Sequence, residues 1–267
     1  MKLEGKRILI TGGSRGLGRA ILDLLTNQSN EIHVVSRNFE DCEKYSDLKF
    51  HCLDLTLSKN SINFAEDFLE EVGIPDLLIN NAGTGAFYDW ENFPVKEIEK
   101  QINLLFTTPV YLSRVFAPLM AEKKSGVIVN ISSLATLFPL PFMPMYNASK
   151  SALSSFSQSL MLEYSEYPKI IDAKFGDFRS EFNKSSSKQR KHQSSSKSQK
   201  AWEKIEEQLK DSPGPKVLAE ALIRAIIKNK TRVLYGGGFF QAKVATLVSP
   251  FLSTSIRLNI LSKRYFH

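Results

Sequence analysis

The sequence predicts an α/β fold: a doubly wound parallel sheet of seven strands packed between helices in three layers. Three observations predict it. Short apolar runs alternate with helical patterns along the chain, as repeated strand–helix–strand units require. A glycine-rich turn joins the first apolar run to the first helical pattern, where an open parallel sheet receives its ligands. The length, 267 residues with 42% apolar, suits one sizeable core, and no internal repeat or linker divides it, so residues 1–267 read as one domain.

The elements follow in order. The run RILI gives a strand at Arg7–Ile10, and the turn after it opens a helix over Gly16–Leu25. EIHVVS, rich in β-branched residues, is the second strand at Glu31–Ser36, and the third falls at Lys49–Leu53. A helical pattern at Asn60–Val72 leads to a strand at Asp76–Asn80, and a longer one at Lys96–Met120 leads to Gly126–Ser132. The helix Tyr146–Tyr164 precedes a strand at Ile170–Phe175, and the helix Pro215–Lys228 precedes the last strand, Thr231–Leu234.

The formal charge of +7 raises the question of nucleic acid, but much of it is local. Residues 183–200, NKSSSKQRKHQSSSKSQK, hold six Lys or Arg, seven Ser and no acid. Such a stretch buries too little apolar surface to offset its ordering entropy, so it reads as a mobile basic loop. Without aromatic interleaving or the signature of a nucleic-acid module, no nucleic-acid partner is expected. Cys42 and Cys52 form no metal spacing with the four histidines, so neither a disulfide nor a metal site is expected. The first strand starts near Arg7, which leaves no room for a signal peptide, and the expected location is the cytoplasm. The tail at 239–267 is apolar with cations near its end. Its apolar stretches are far shorter than a spanning helix needs, so it reads as an amphipathic tail packed on its own subunit or a neighbour's, with a membrane surface as the less favoured partner.

Four motifs carry chemistry. ILITGGSRGLGRAI places Gly12, Gly16 and Gly18 between strand and helix, where glycines let a pyrophosphate approach the backbone and the helix N-terminus supplies free N–H groups. With NNAG at Asn80–Gly83, GVIVNISS at Gly126–Ser133 and YNASK at Tyr146–Lys150, this TGxxxGxG turn resembles the short-chain dehydrogenase/reductase superfamily over roughly residues 5–182.

The resemblance implies a Rossmann-like fold, a nicotinamide cofactor and roles for particular residues, among them Tyr146 as general acid or base. Lys150 stands four residues on, on the same helical face, and by resemblance holds the nicotinamide ribose and favours phenolate over a phenol of ordinary pKa near 10. Ser133, rather than its neighbour Ser132, would hydrogen-bond the substrate oxygen where charge develops. The loop residues Gly12, Ser14, Arg15, Gly16, Leu17 and Gly18 would cradle the cofactor, Asp54 and Leu55 would meet adenine, and Asn81, Ala82 and Gly83 would line the adenosine side.

An NAD site usually ends its second strand with an acid for the ribose 2′-OH. Here Ser36 holds that place, Arg37 follows and Arg15 lies in the glycine loop, so two guanidiniums stand ready for a 2′-phosphate and NADP(H) is the expected cofactor. Two departures from the family pattern stand out. Its helix asparagine, counted back from Pro118, falls on Leu105; a slip or bulge that brings in Asn103 is the alternative. After the sixth strand, Phe175 replaces a proline, Gly176 is kept beside the nicotinamide, and Ser180 stands for a threonine.

These readings imply an NADPH-dependent oxidoreductase that reduces a ketone or 3-oxoacyl carbonyl. The rival is an NADP(H)-binding sensor or scaffold with little catalysis, supported by Leu105. Leu134, Phe138, Leu140, Phe142, Met143 and Met145 give the surroundings of the site an apolar character, suited to a greasy substrate or equally to packing. The basic loop could steer a carboxylate, a phosphate or a carrier. A homodimer or homotetramer packed through the two long helices completes the expectation.

Overall fold

In the computed structural model, residues 1–38, 48–179 and 182–267 are described. The strands are β1 (Arg7–Thr11), β2 (Glu31–Ser36), β3 (Leu48–Cys52), β4 (Leu77–Asn80), a two-residue β5 (Ala86–Phe87), β6 (Val127–Ser133), β7 (Lys169–Phe175), a two-residue β8 (Ser187–Lys188) and β9 (Arg232–Gly236). All but β5 and β8 form one seven-stranded sheet in the order β3-β2-β1-β4-β6-β7-β9. Every pairing in it is parallel; Ile8, for example, lies between Ile32 and Leu77.

The helices are α1 (Gly16–Leu25), α2 (Ser58–Glu71), α3 (Val95–Ile102), α4 (Thr108–Glu122), α5 (Pro144–Glu163), α6 (Phe182–Ser185), α7 (Ser196–Lys210), α8 (Pro215–Ile227), α9 (Thr246–Val248) and α10 (Thr254–Phe266). Successive strand residues face opposite sides of the sheet, and β1 shows it. Ile8 and Ile10 join a core with Ile21 and Leu22 of α1 and Leu222 and Ile226 of α8. Leu9 faces the other way, into a core with Phe68 of α2 and Leu112 and Phe116 of α4. The Val95–Glu122 run is long and apolar enough to cross a bilayer by composition. Its Leu105, Leu112, Phe116 and Met120 are fully buried, which marks it as a core helix.

Two expectations are corrected. The helix read at Lys96–Met120 is a continuous helical run interrupted by a π-turn at Asn103–Thr107, where the Thr108 amide donates to the Asn103 carbonyl. The cause is Pro109, which has no N–H for the Leu105 carbonyl and whose ring crowds it, so the turn widens. The loop read at 183–200 is ordered in part. It contains the end of α6, a parallel β5–β8 pair, and the start of α7. Its partner is Asp89, which is 5% exposed and accepts hydrogen bonds from Ser195 N at 2.8 Å, Ser195 Oγ at 2.6 Å and Ser198 Oγ at 3.2 Å. Ser195 Oγ in turn caps α7 by accepting from Ser198 N. Composition alone cannot reveal a partner that far upstream. Cys42 and Ser180 lie outside the described residues.

At the sheet edge, His33 Nδ1 and His51 Nε2 are 2.9 Å apart beneath Phe64 and Phe68, with Glu31 Oε1 at 3.4 Å from His33 Nε2 and Lys49 and Glu71 close enough to act on the pair. Burial lowers both imidazole pKa values below 6.5. The unfolded chain therefore binds more protons than the folded one just below that pH, and stability falls as pH drops through the window. Thermal melts between about pH 7 and about pH 5 should show this loss, and His51→Leu should reduce its slope by about one proton. An unchanged slope would mean that the pair does not control it.

Candidate active site

The cleft begins where β1 ends. Gly12 has φ +73°, and a Cβ there would come within 2.7 Å of Ala82 Cα; one on Gly18 would come within 2.0 Å of Gly12 O. No side chain larger than hydrogen fits at either position without moving backbone. Thr11 Oγ1 accepts the Asn81 and Ala82 amides at 3.1 and 3.0 Å, and Asn81 Nδ2 donates to Gly12 O at 2.6 Å, which ties the loop to the end of β4. Helix α1 starts at Gly16 with no side-chain cap and no acid in its first turn, so its N-terminal N–H groups and positive dipole are left for an anion. This cradle fits a dinucleotide pyrophosphate.

Beyond it, Ser36 Oγ lies 3.5 Å from Ser14 Oγ and donates to Asn38 O. Arg15 and Arg37 line the same wall, and neither forms an ion pair among the described residues. Asp54, on the same lining, accepts the Thr56 amide through Oδ1 at 2.9 Å. Ser133, Tyr146, Lys150 and the cofactor residues read from Gly12 through Asp54, Leu55 and Gly83 to Gly176 line this one cavity of about 530 Å3, whereas Asn103 and Leu105 do not.

At the far end, Ser133 closes β6, and its Oγ accepts the Ala135 amide at 3.1 Å. Tyr146 and Lys150 sit one turn apart on the first turns of α5. Lys150 is 4% exposed and its Nζ donates to Ile131 O at 2.6 Å. Burial lowers its pKa to about 8, with the Asp172 carboxylate opposing the fall.

For Tyr146, burial raises the pKa above 10; a hydrogen bond with Ser133 opposes this, and the Asp177 carboxylate adds to it. The sequence reading has Lys150 and an oxidised nicotinamide together favouring phenolate; of the protein's own groups, burial and Asp177 act against it and Ser133 acts for it. Burial penalises the phenolate and also weakens the ammonium meant to support it, so Tyr146 holds its proton through the neutral range.

Sequence reasoning missed Asp172. It is fully buried on β7 and accepts hydrogen bonds from Ser132 Oγ and, at 2.7 Å, from Ser154 Oγ, one turn beyond Lys150; Lys174 Nζ is 3.7 Å away. The available signal was KIIDAKF, an acid and a base inside a central apolar strand. Asp172 reaches Lys150 only through its charge, which opposes the fall of the lysine pKa. Asp172→Asn removes the charge that keeps Lys150 protonated, so the alkaline limb of the kcat/KM profile should move to lower pH. A limb that stays in place would contradict that role.

Asn103 and Leu105 are placed by the π-turn. Asn103 Nδ2 donates to Thr56 O at 3.0 Å, away from Lys150. Leu105 is fully buried, with Cδ2 3.5 Å from where a Cβ on Gly83 would stand. Of the apolar residues expected near the site, Leu134, Phe138, Leu140 and Met143 line the cleft. Phe142 and Met145 do not; the Phe142 ring packs against Phe87 and Phe266. The tail, read from sequence as packing on its own subunit or a neighbour's, supplies part of the wall through Phe240, Val244, Val248, Leu252 and Leu261. Gln241 fastens it to the turn after β7, accepting the Asp177 amide and donating to Asp177 Oδ2 at 2.6 Å.

A family profile described as short chain dehydrogenase matches residues 6–191, and the chain belongs to that family. It is 35% identical over 165 residues to an uncharacterised oxidoreductase of Schizosaccharomyces pombe, a match covering 61% of this chain and 56% of the relative. It is 31% identical over 181 residues to a 3-ketodihydrosphingosine reductase of Bacteroides thetaiotaomicron, covering 67% of this chain and 66% of the relative. The chain thus spans less than two thirds of the length of these relatives. The fold matches a solved short-chain dehydrogenase from Streptomyces avermitilis at a TM-score of 0.79 and 25% identity, covering 98% of each chain.

Proposed function

We propose that the protein is an NADP(H)-dependent carbonyl reductase acting on an apolar ketone or 3-oxoacyl compound. The observation that carries this reading is the meeting of Ser133, Tyr146 and Lys150 in one cleft with the glycine cradle, Arg15 and Arg37. NADPH, when bound, supplies the hydride. Arg15 and Arg37 grip its 2′-phosphate, and the loop amides and the start of α1 hold the pyrophosphate. The Ser133 hydroxyl donates to the carbonyl oxygen as negative charge grows there, and Tyr146 gives that oxygen its proton. Lys150 provides positive charge beneath the phenol and orients the cofactor ribose. A relative named as a reductase of a keto compound supports the direction, and the apolar wall supports a greasy substrate. We further propose a homodimer or homotetramer through α4 and α5, where Leu162 of α5 is 87% exposed.

One observation favours the rival reading of a weakly catalytic NADP(H) binder. Asn103 bonds Thr56 O, and Leu105 occupies the place of the family's relay asparagine. A missing relay slows proton resupply to Lys150 without removing the proton on Tyr146, so turnover should persist at reduced rate. Following NADPH oxidation against ketones, diketones and 3-oxoacyl thioesters, with binding followed in parallel by nicotinamide fluorescence, separates the two. Tight binding without turnover on any of them would favour the binder.

The Lys150 pKa of about 8 sets a pH dependence. Below it the lysine is charged and above it neutral, so kcat/KM for reduction should fall as pH rises through about 8. A profile flat to pH about 10 would contradict that assignment.

A further inference from the structure

Of the eighteen large apolar side chains left exposed among the described residues, nine fall between 239 and 260. Phe239, Leu247 and Phe251 are 79%, 73% and 87% exposed. The chain is helical from 239 to 251, with a π-helix at Phe240–Ala245 whose wide turns give a repeat close to four. Phe239, Lys243, Leu247 and Phe251 therefore stack on one side, facing solvent. The residues one step on, Phe240, Val244, Val248 and Leu252, line the cleft. On α10, Ile256, Ile260 and Lys263 continue an exposed stripe at i, i+4 and i+7.

The charge on this face has one sign. Residues 239–267 hold no Asp or Glu; Lys243, Lys263 and Arg264 are exposed, Arg264 with its guanidinium on Gln208 Oε1, whereas Arg257 is half-buried and donates to Leu137 O. A second copy meeting the face across a two-fold axis would set this cationic surface against itself. An anionic surface complements it. The segment is not among the helices long and apolar enough to span a bilayer.

We propose that this face docks on a bilayer containing anionic phospholipid, with Phe239, Leu247 and Phe251 in the headgroup–acyl boundary and the cations at the headgroups. Because the same turns wall the cleft, an apolar ketone passes from the acyl layer to Tyr146 without crossing water. That delivery rests on the reductase reading; the docking does not.

Detergent-free flotation of the full chain tests it, with vesicles of phosphatidylcholine alone and of equimolar phosphatidylcholine and phosphatidylserine. The chain should float with the phosphatidylserine vesicles, less at high salt, and little with phosphatidylcholine. The triple variant Phe239→Ser, Leu247→Ser, Phe251→Ser should lower partitioning by at least about tenfold. Its melting curve and its turnover of a water-soluble ketone should match the parent's. Lys243→Glu should weaken binding to the phosphatidylserine vesicles alone. No flotation, or flotation indifferent to the triple variant, overturns the proposal. So does light scattering in which the triple variant dissociates an oligomer, since a second copy would then cover the face. Flotation without turnover of any ketone leaves docking standing and removes delivery.

Discussion

Tyr146→Phe should lower kcat/KM for ketone reduction by roughly a hundredfold to ten-thousandfold, the range for loss of a positioned general acid. NADPH affinity should stay within a few-fold of the parent. Phenylalanine keeps the ring that meets Phe182 edge-on, with centroids 5.7 Å apart, and removes only the hydroxyl that shares a hydrogen bond with Ser133. Steady-state kinetics beside a fluorescence titration separate the two effects. Because burial keeps the phenol protonated through the neutral range, the variant loses a donor already carrying its proton, and the loss should persist from pH about 6 to about 8. A variant within a few-fold of the parent would show that solvent, and not Tyr146, protonates the product.

The second large effect concerns cofactor choice. Arg15 and Arg37 line the wall beside Ser36, where an acid for a ribose hydroxyl would otherwise stand. Charge-assisted hydrogen bonds of this kind are worth about 1.5–3 kcal/mol each, so Arg37→Ala should weaken NADPH binding by roughly ten- to a hundredfold and leave NADH nearly unaffected. Ser36→Asp should add repulsion against the 2′-phosphate and an acceptor for a ribose hydroxyl, turning the preference toward NADH. Dissociation constants for both nucleotides check this. Equal loss of NADPH and NADH in Arg37→Ala would mean that the guanidinium serves the whole nucleotide instead of its 2′-phosphate.

The parallel sheet and its glycine cradle were legible in the sequence because both depend on local signals. Apolar runs flanked by helical patterns fix the strands to within a residue or two, and a glycine turn between strand and helix needs no distant partner to be read. What escaped depends on long-range pairing. The basic stretch at 183–200 has the composition of a mobile loop, yet the single buried carboxylate of Asp89 meets Ser195 and Ser198 and starts α7. The π-turn at Asn103–Thr107 follows from Pro109, a signal present in the sequence but read too weakly within a strong apolar period. Spacing reveals Lys150 one turn from Tyr146 but not that Lys150 is 4% exposed. Asp172 sits in a strand whose neighbours made it look like core, and only the converging hydroxyls of Ser132 and Ser154 show what it holds.

The tail shows the same limit. Its cations and aromatic residues were visible, but which of them wall the cleft and which face outward depends on a π-helical repeat that no periodicity search for 3.6 residues would find.

Carbonyl reduction in this cleft is the central claim, and following the hydride tests it most directly. NADPH carrying deuterium at the nicotinamide hydride position should be incubated with the protein and the ketone that supports the fastest NADPH oxidation, and the alcohol examined by mass spectrometry and NMR. The account predicts one deuterium on the former carbonyl carbon of each alcohol formed, in one stereochemical sense, and none with Tyr146→Phe over the same period. NADPH that binds tightly and returns unoxidised, or that is oxidised without deuterium reaching the alcohol, would contradict it.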